Sequence, residues 1–146
     1  MSSRRHATAG ENEIWFPHGL VGLPGLTQFS LHRVEIDGPF SILQSEERDA
    51  MRFPLIDPLL IRPDYEVILS PEELCELGIA ERRDLAVYAM LHVPSDASGI
   101  TVNLRAPILI SSTKRIGMQI IPKSNSLSVS ASLAQELRRE EAEVLL

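Results

Sequence analysis

Cysteine is nearly absent: Cys75 stands alone. That excludes an intrachain disulfide framework and fits a reducing cytosol. Aromatic residues make up only 5% of the chain. Readers of single-stranded RNA stack bases on such rings, so this class is disfavoured. Basic residues are outnumbered, 14 against 20 acidic, for a formal net charge of -6. Gripping phosphates needs concentrated lysine and arginine, so direct nucleic-acid binding is not expected. No stretch approaches the roughly 18 apolar residues of a membrane span. The opening MSSRRHATAG has two arginines with no apolar run behind them, the pattern of neither a signal peptide nor an anchor.

Catalytic and metal signatures are missing too. His6, His18, His32 and His92 are scattered without metal-ligand spacing. Gly19, Gly22 and Gly25 recur every three residues but lead into no clear helix, as a phosphate-binding loop should. Ser45 beside Glu46 has no histidine placed to act as base. The sequence gives no enzyme signal and calls for no cofactor or metal.

What the chain does have is 146 residues, 44% hydrophobic and 23% charged, the balance of an ordinary globular domain. Residues 1–11 read as a disordered tail, 12–123 as one β-domain, and 124–146 as a linker with a helical C-terminal tail. Strand-like runs follow closely on one another: NEIWF, FSLHRVEI, PFSILQS, AMRFPLIDP, DYEVIL, DLAVYAMLHV, GITVNL, APILIS and MQIIP. Between the second and third sits Asp37-Gly38, a strong turn signal. The STKRIG segment reads as a hairpin loop closed by Gly117. One helix is well marked in SPEELCELG. Ser70 is the N-cap, Pro71 the first helical residue, Glu73 completes a capping box and Gly78 ends it, with Leu74 and Leu77 facing inward. The terminal LAQELRREEAEVLL has helical propensity, with Leu133, Leu137 and Val144 on one side, as a docked helix or a solvated tail. Many short strands without long alternating helices predict an all-β, mainly antiparallel domain, a small barrel or sandwich with one or two short helices.

Two features are unusual. TVNLRAPILI (101–110) interrupts an apolar strand with an amide, a cation and a proline. Proline cannot donate to a sheet ladder and belongs at an edge, a strand start or a bulge. Either Asn103 hydrogen-bonds across a bend, or Asn103 and Arg105 stand at an open edge and engage a partner. Charge is also uneven: from Glu35 to Asp84 there are 13 acids and 5 arginines. Such a face is either plain solvated surface or a complement to a basic partner.

Several groups occur in a fixed order: GLPG at 22–25, ILQS at 42–45, DYE at 64–66, DLAVY at 84–88, NLRAPILI at 103–110 and GMQII at 117–121. Together they resemble the flagellar assembly factor FliW family, over about Ile14 to Ile121. The family often has an aromatic residue after GLPG, where this chain has Leu26. The resemblance implies a cytoplasmic barrel-like protein without cofactor. It implies two partners, newly made flagellin and the carbon-storage regulator CsrA, a basic RNA-binding translational repressor that the free protein antagonises. The candidate flagellin contacts are Phe53, Asp57, Asn103 and Arg105, at proline-marked strands. The candidate CsrA contacts are Glu46, Glu47, Glu72, Glu73 and Glu76, within the acidic stretch. The competing reading is a small-ligand or flavin-binding β-barrel, for which Lys114 and Arg115, adjacent in a loop, are the basic residues that would meet a phosphate.

Overall fold

Residues 13 to 119 build one antiparallel sheet in which each strand pairs with the next. The strands are β1 (Glu13–Trp15), β2 (Gln28–Arg33), β3 (Phe40–Ser45), β4 (Arg52–Ile56), β5 (Leu85–His92), β6 (Thr101–Ser111) and β7 (Gly117–Gln119). A two-residue strand, β8 (Ala131–Ser132), adds to β6. The computed structural model describes residues 12–48, 51–123 and 127–145. The tail expected over residues 1–11 lies outside them, as do residues 124–126 of the expected linker. The sheet curls until its ends meet: Trp15 bridges Ile116 in parallel, and its N–H donates to the Arg115 carbonyl at 3.0 Å. The result is the mainly antiparallel, barrel-like fold expected, with two helices, α1 (Pro71–Leu77) and α2 (Leu133–Leu145).

Alternation along the strands decides what fills the barrel. Inward residues Ile14, Phe29, Leu43, Leu55, Ile108 and Ile110 form its interior, each almost fully buried. The loop after β1 plugs one end with Phe16, Leu20 and Leu26. Phe16 meets Phe29 edge to face, with ring centroids 5.1 Å apart. Leu26, where the family often has an aromatic residue, is 7% exposed and belongs to this core. Gly117 is required by close approach. A Cβ there would lie 2.4 Å from the Phe16 ring.

Two outer layers cover the other face of the sheet. Ile56, Ile61, Leu91, Val102 and Leu104 pack with Leu133 at the start of α2. Leu109, Met118 and Ile120 pack with Val67 and with Leu77 of α1. The α1 signals act as the sequence predicts. The Ser70 Oγ accepts from Glu73 N–H at 3.2 Å, and Ser70 N–H donates to Glu73 Oε1 at 2.8 Å. Gly78 ends the helix in the left-handed region, φ 68°. Leu77 is fully buried and Leu74 half-buried.

Four expectations need correction. GITVNL and APILIS are one continuous strand, β6, because an internal bulge absorbs the proline. DYEVIL keeps a strand's alternating burial but pairs with no other strand. The turn at 112–114 is not closed by Gly117. The Ser111 hydroxyl accepts from Lys114 N–H, Arg115 takes the positive φ of 59°, and Gly117 is already in β7. Leu137 is 44% exposed and does not share a buried side with Leu133; Glu136 does, and Val144 lies outside the residues whose side chains are described.

Candidate functional site

The interrupted stretch in β6 is the centre of the molecule's polar architecture. Tyr88 of β5 pairs with Ile108, yet Met90 pairs with Asn103. One residue of β5, Ala89, therefore stands opposite Leu104 to Pro107 of β6. Such a bulge leaves main-chain groups without ladder partners, and buried groups of this kind must be satisfied elsewhere. The Asn103 Oδ1 accepts from Arg105 N–H at 3.1 Å and Ala106 N–H at 3.0 Å. Leu104 N–H donates to the Ser128 carbonyl, and its own carbonyl accepts from the Tyr65 hydroxyl at 2.7 Å. The Ala106 carbonyl accepts from the Gln119 amide at 3.1 Å, and the Pro107 carbonyl from Ile120 N–H. Gln119 also turns its Oε1 to Val21 N–H at 2.8 Å, tying in the glycine-rich loop. Pro107 is buried and has no N–H to satisfy.

These contacts give separate motifs one task. Tyr65 of DYE, Asn103 and Pro107 of NLRAPILI, Gln119 of GMQII and the loop carrying GLPG meet at the bulge. Sequence reasoning singled out Asn103 and passed over Tyr65 and Gln119. Their presence in the quoted motifs was the available signal. The outcome for Arg105 is different: it projects from the bulge and is exposed.

Beside the bulge the barrel wall parts. β4 and β5 share only the pairs Leu55 with Met90 and Ile56 with Ala89. From Arg52 to Pro54, β4 pairs with β3 alone, and Leu91 and His92 of β5 pair with β6 alone. The gap is a groove of about 560 Å³ lined by Phe53, Met90, His92, Val93, Asn103 and Val129. Val93 and Val129 are more than half exposed. Asp57 belongs elsewhere. It follows β4, and its Oδ1 accepts from Leu59 N–H at 3.0 Å, capping a 3-10 turn over Pro58–Leu60. It lines a second groove of about 600 Å³ with Arg33, Leu59, Leu60 and Tyr88. Burial pushes the Tyr88 phenol above its ordinary value, with Asp57 adding and Arg33 and Arg115 opposing. The structure thus brings Phe53 and Asn103 together, leaves Arg105 at the bulge tip, and sets Asp57 in a different groove.

The five glutamates divide by the work they already do. Glu47 accepts from the N–H groups of Thr27 and Gln28 at 2.8 and 2.9 Å. Glu73 completes the α1 capping box. Glu76 meets the His18 Nε2 at 3.2 Å, linking α1 to the loop after β1. Glu46 and Glu72 are exposed. Among the described residues, no group of three or more His, Cys, Asp or Glu is placed to hold a metal. Nor is any helix long and apolar enough to cross a membrane.

A closed meander of short strands, its interior filled by side chains among the described residues, with grooves on the wall and polar residues engaged in the frame, defines a class: a small, side-chain-filled β-barrel. Within that class the chain belongs to the FliW protein family, whose model matches residues 3–133. The match reaches further than the motif-bearing span of 14–121. The chain is 33% identical over 132 residues to the flagellar assembly factor FliW of Ruminiclostridium cellulolyticum, covering 90% of this chain and 89% of that protein. It is 35% identical to the factor of the same name from Clostridium tetani, covering 93% and 96%. A crystal structure of the flagellar assembly factor FliW superposes with a TM-score of 0.78 at 34% identity, covering 86% of this chain and 87% of that one. The relatives are named as assembly factors, not enzymes.

Proposed function

We propose that this protein acts in the cytoplasm as a flagellar assembly factor with two protein partners. It binds flagellin, and when free of flagellin it binds and antagonises CsrA. Membership of the FliW family over residues 3–133 carries this reading. The geometry supports its protein-binding part. An open groove between two strand edges, walled by Phe53 and exposed valines, offers apolar contact and unpaired main chain to an extended segment. The acidic stretch from Glu35 to Asp84 offers a basic RNA-binding protein a complementary field.

The test is a titration of purified flagellin, and separately of CsrA, by calorimetry. Phe53→Ala and Arg105→Ala are the informative variants for flagellin, since neither residue holds the bulge. Each is expected to weaken flagellin binding, and a central anchor typically costs about 2 kcal/mol or more on truncation. Arg105→Ala should leave the melting midpoint near wild type, whereas Phe53→Ala, whose ring packs against Phe29 and the core, should lower it. Wild-type affinity in both variants moves the flagellin site elsewhere. For CsrA the exposed charges Glu46, Glu72 and Glu76 are changed together to glutamine. Association at low salt is expected to slow on the order of tenfold, with a weaker salt dependence. An association rate indifferent to both removes the acidic face from the interface.

A further inference from the structure

Glu66 to Leu69 is an extended stretch that pairs with no strand among the described residues. Its burial alternates in the period of a strand: Val67 is buried and Leu69 half-buried, while Glu66 and Ile68 are exposed. Its side chains rest on the outer face of the sheet, against Leu109, Met118 and Ile120. Yet among the described residues no hydrogen bond engages the main chain of Glu66, Val67, Ile68 or Leu69. Four successive residues with the strand period and no ladder are a strand edge waiting for a neighbour, since every main-chain N–H and C=O needs a partner or water. A groove of about 520 Å³ runs beside it, lined by Val67, Leu69, Leu74, Ile79 and Leu85. Ile68, 69% exposed, offers the outer face a β-branched contact for a cross-strand pair.

Charge says what kind of segment fits. From Pro63 to Glu76 the chain holds five acids and no base; Glu73 is taken up in the capping box and Glu76 by His18, which leaves Asp64, Glu66 and Glu72 to face a partner. The one cation lining the groove is Arg82. We infer that Glu66–Leu69 is a docking edge that accepts an extended, basic segment of a partner protein as an added strand, its apolar side chains entering the groove at alternate positions and its lysines or arginines facing the flanking acids. The inference rests on the reading that a basic partner meets the acidic face, and it names where and in what conformation. The groove beside Phe53 is a separate opening, which meets β5 at Met90 to His92 rather than at Leu85.

The test reads amide exchange by NMR on the full chain. The probe is a short peptide alternating lysine and valine, with a control of the same sequence N-methylated at every residue, which blocks both strand edges. In the free protein the amides of Glu66 to Leu69 should exchange nearly unprotected. With the peptide, alternate amides in this stretch should slow on the order of tenfold or more. The N-methylated control, unable to complete a ladder, should leave them fast. Unchanged amides at saturating peptide, or equal protection by the control, overturn the docking edge. The pair Glu66→Lys and Glu72→Lys should weaken peptide binding by on the order of tenfold, as two attractions become repulsions. If that variant does not fold, the exchange comparison decides alone. A titration of intact CsrA stays independent: binding there without peptide protection sinks this edge and leaves the partner assignment standing.

Discussion

Asn103 shows how much one side chain can hold. Its Oδ1 satisfies two N–H groups in the bulge of β6, one of them on the buried Ala106. Asn103→Ala is therefore expected to cost about 1–3 kcal/mol, because part-buried donors lose their acceptor. Asn103→Asp keeps an acceptor in place and should recover part of that loss, with denaturant midpoints as the measure. The two readings of TVNLRAPILI turn out to fall on different residues. Asn103 serves the bend, and Arg105 is the one presented to solvent. Gly117→Ala should destabilise by roughly 1–3 kcal/mol, since the added methyl meets the Phe16 ring in a filled core. Tyr88 makes a prediction about pH. Its phenol has a folded-state pKa above the ordinary 10.0, chiefly through burial. The stability contributed by the neutral phenol is fully present below about pH 10 and is lost as pH rises through the folded value. Tyrosinate absorbance in a Tyr65→Phe background should show this late titration, and Tyr88→Phe should remove it.

At the level of elements, α1 was legible because every signal in it is local. Cap, first-turn proline, capping box and terminal glycine lie within nine residues, and each acts through a main-chain bond to a near neighbour. Ser70→Ala should cost about 0.5–2 kcal/mol in a denaturation experiment, and an unchanged midpoint would show that the cap does not hold the helix. β6 was harder. A proline inside an apolar run signals an interruption, but not whether the chain breaks into two strands or bulges and continues. That depends on whether distant groups take up the freed main chain, and here Tyr65, Gln119 and Ser128 do so. Tyr65–Leu69 shows the converse. Alternation gave its faces correctly, with Val67 in and Glu66 and Ile68 out, but it carries no information about which strand, if any, lies alongside.

At the scale of the whole molecule, the C-terminal segment is joined to the barrel by more than adjacency. β8 pairs with Thr101 and Val102, Leu133 is 8% exposed in the outer layer, and Glu136 grips Arg62 with two bonds of 2.9 Å. Glu136→Ala should destabilise by roughly 1–3 kcal/mol, because the half-buried guanidinium loses the two bonds to this carboxylate. Ending the chain after Lys123 should cost more, since it also uncovers Val102 and Leu104. Equal midpoints for the truncated and full chains would establish residues 12–123 as a self-sufficient domain. The sequence by itself determined the local matters: the antiparallel all-β class, a chain reversal between β2 and β3 (closed at Glu35–Gly38 rather than centred on Asp37-Gly38), and α1 with its caps. These follow from periods of two and from bonds between residues a few positions apart. Only the tertiary structure decided that the sheet closes through Trp15 and Ile116, that Arg62 meets Glu136 across 74 positions, that Phe53 and Asn103 share a groove while Asp57 lies in another, and that Glu66 to Leu69 pairs with no strand among the described residues. Each of these is a meeting of residues far apart in the chain, fixed by which faces the curled sheet brings together, and no spacing in the sequence records it.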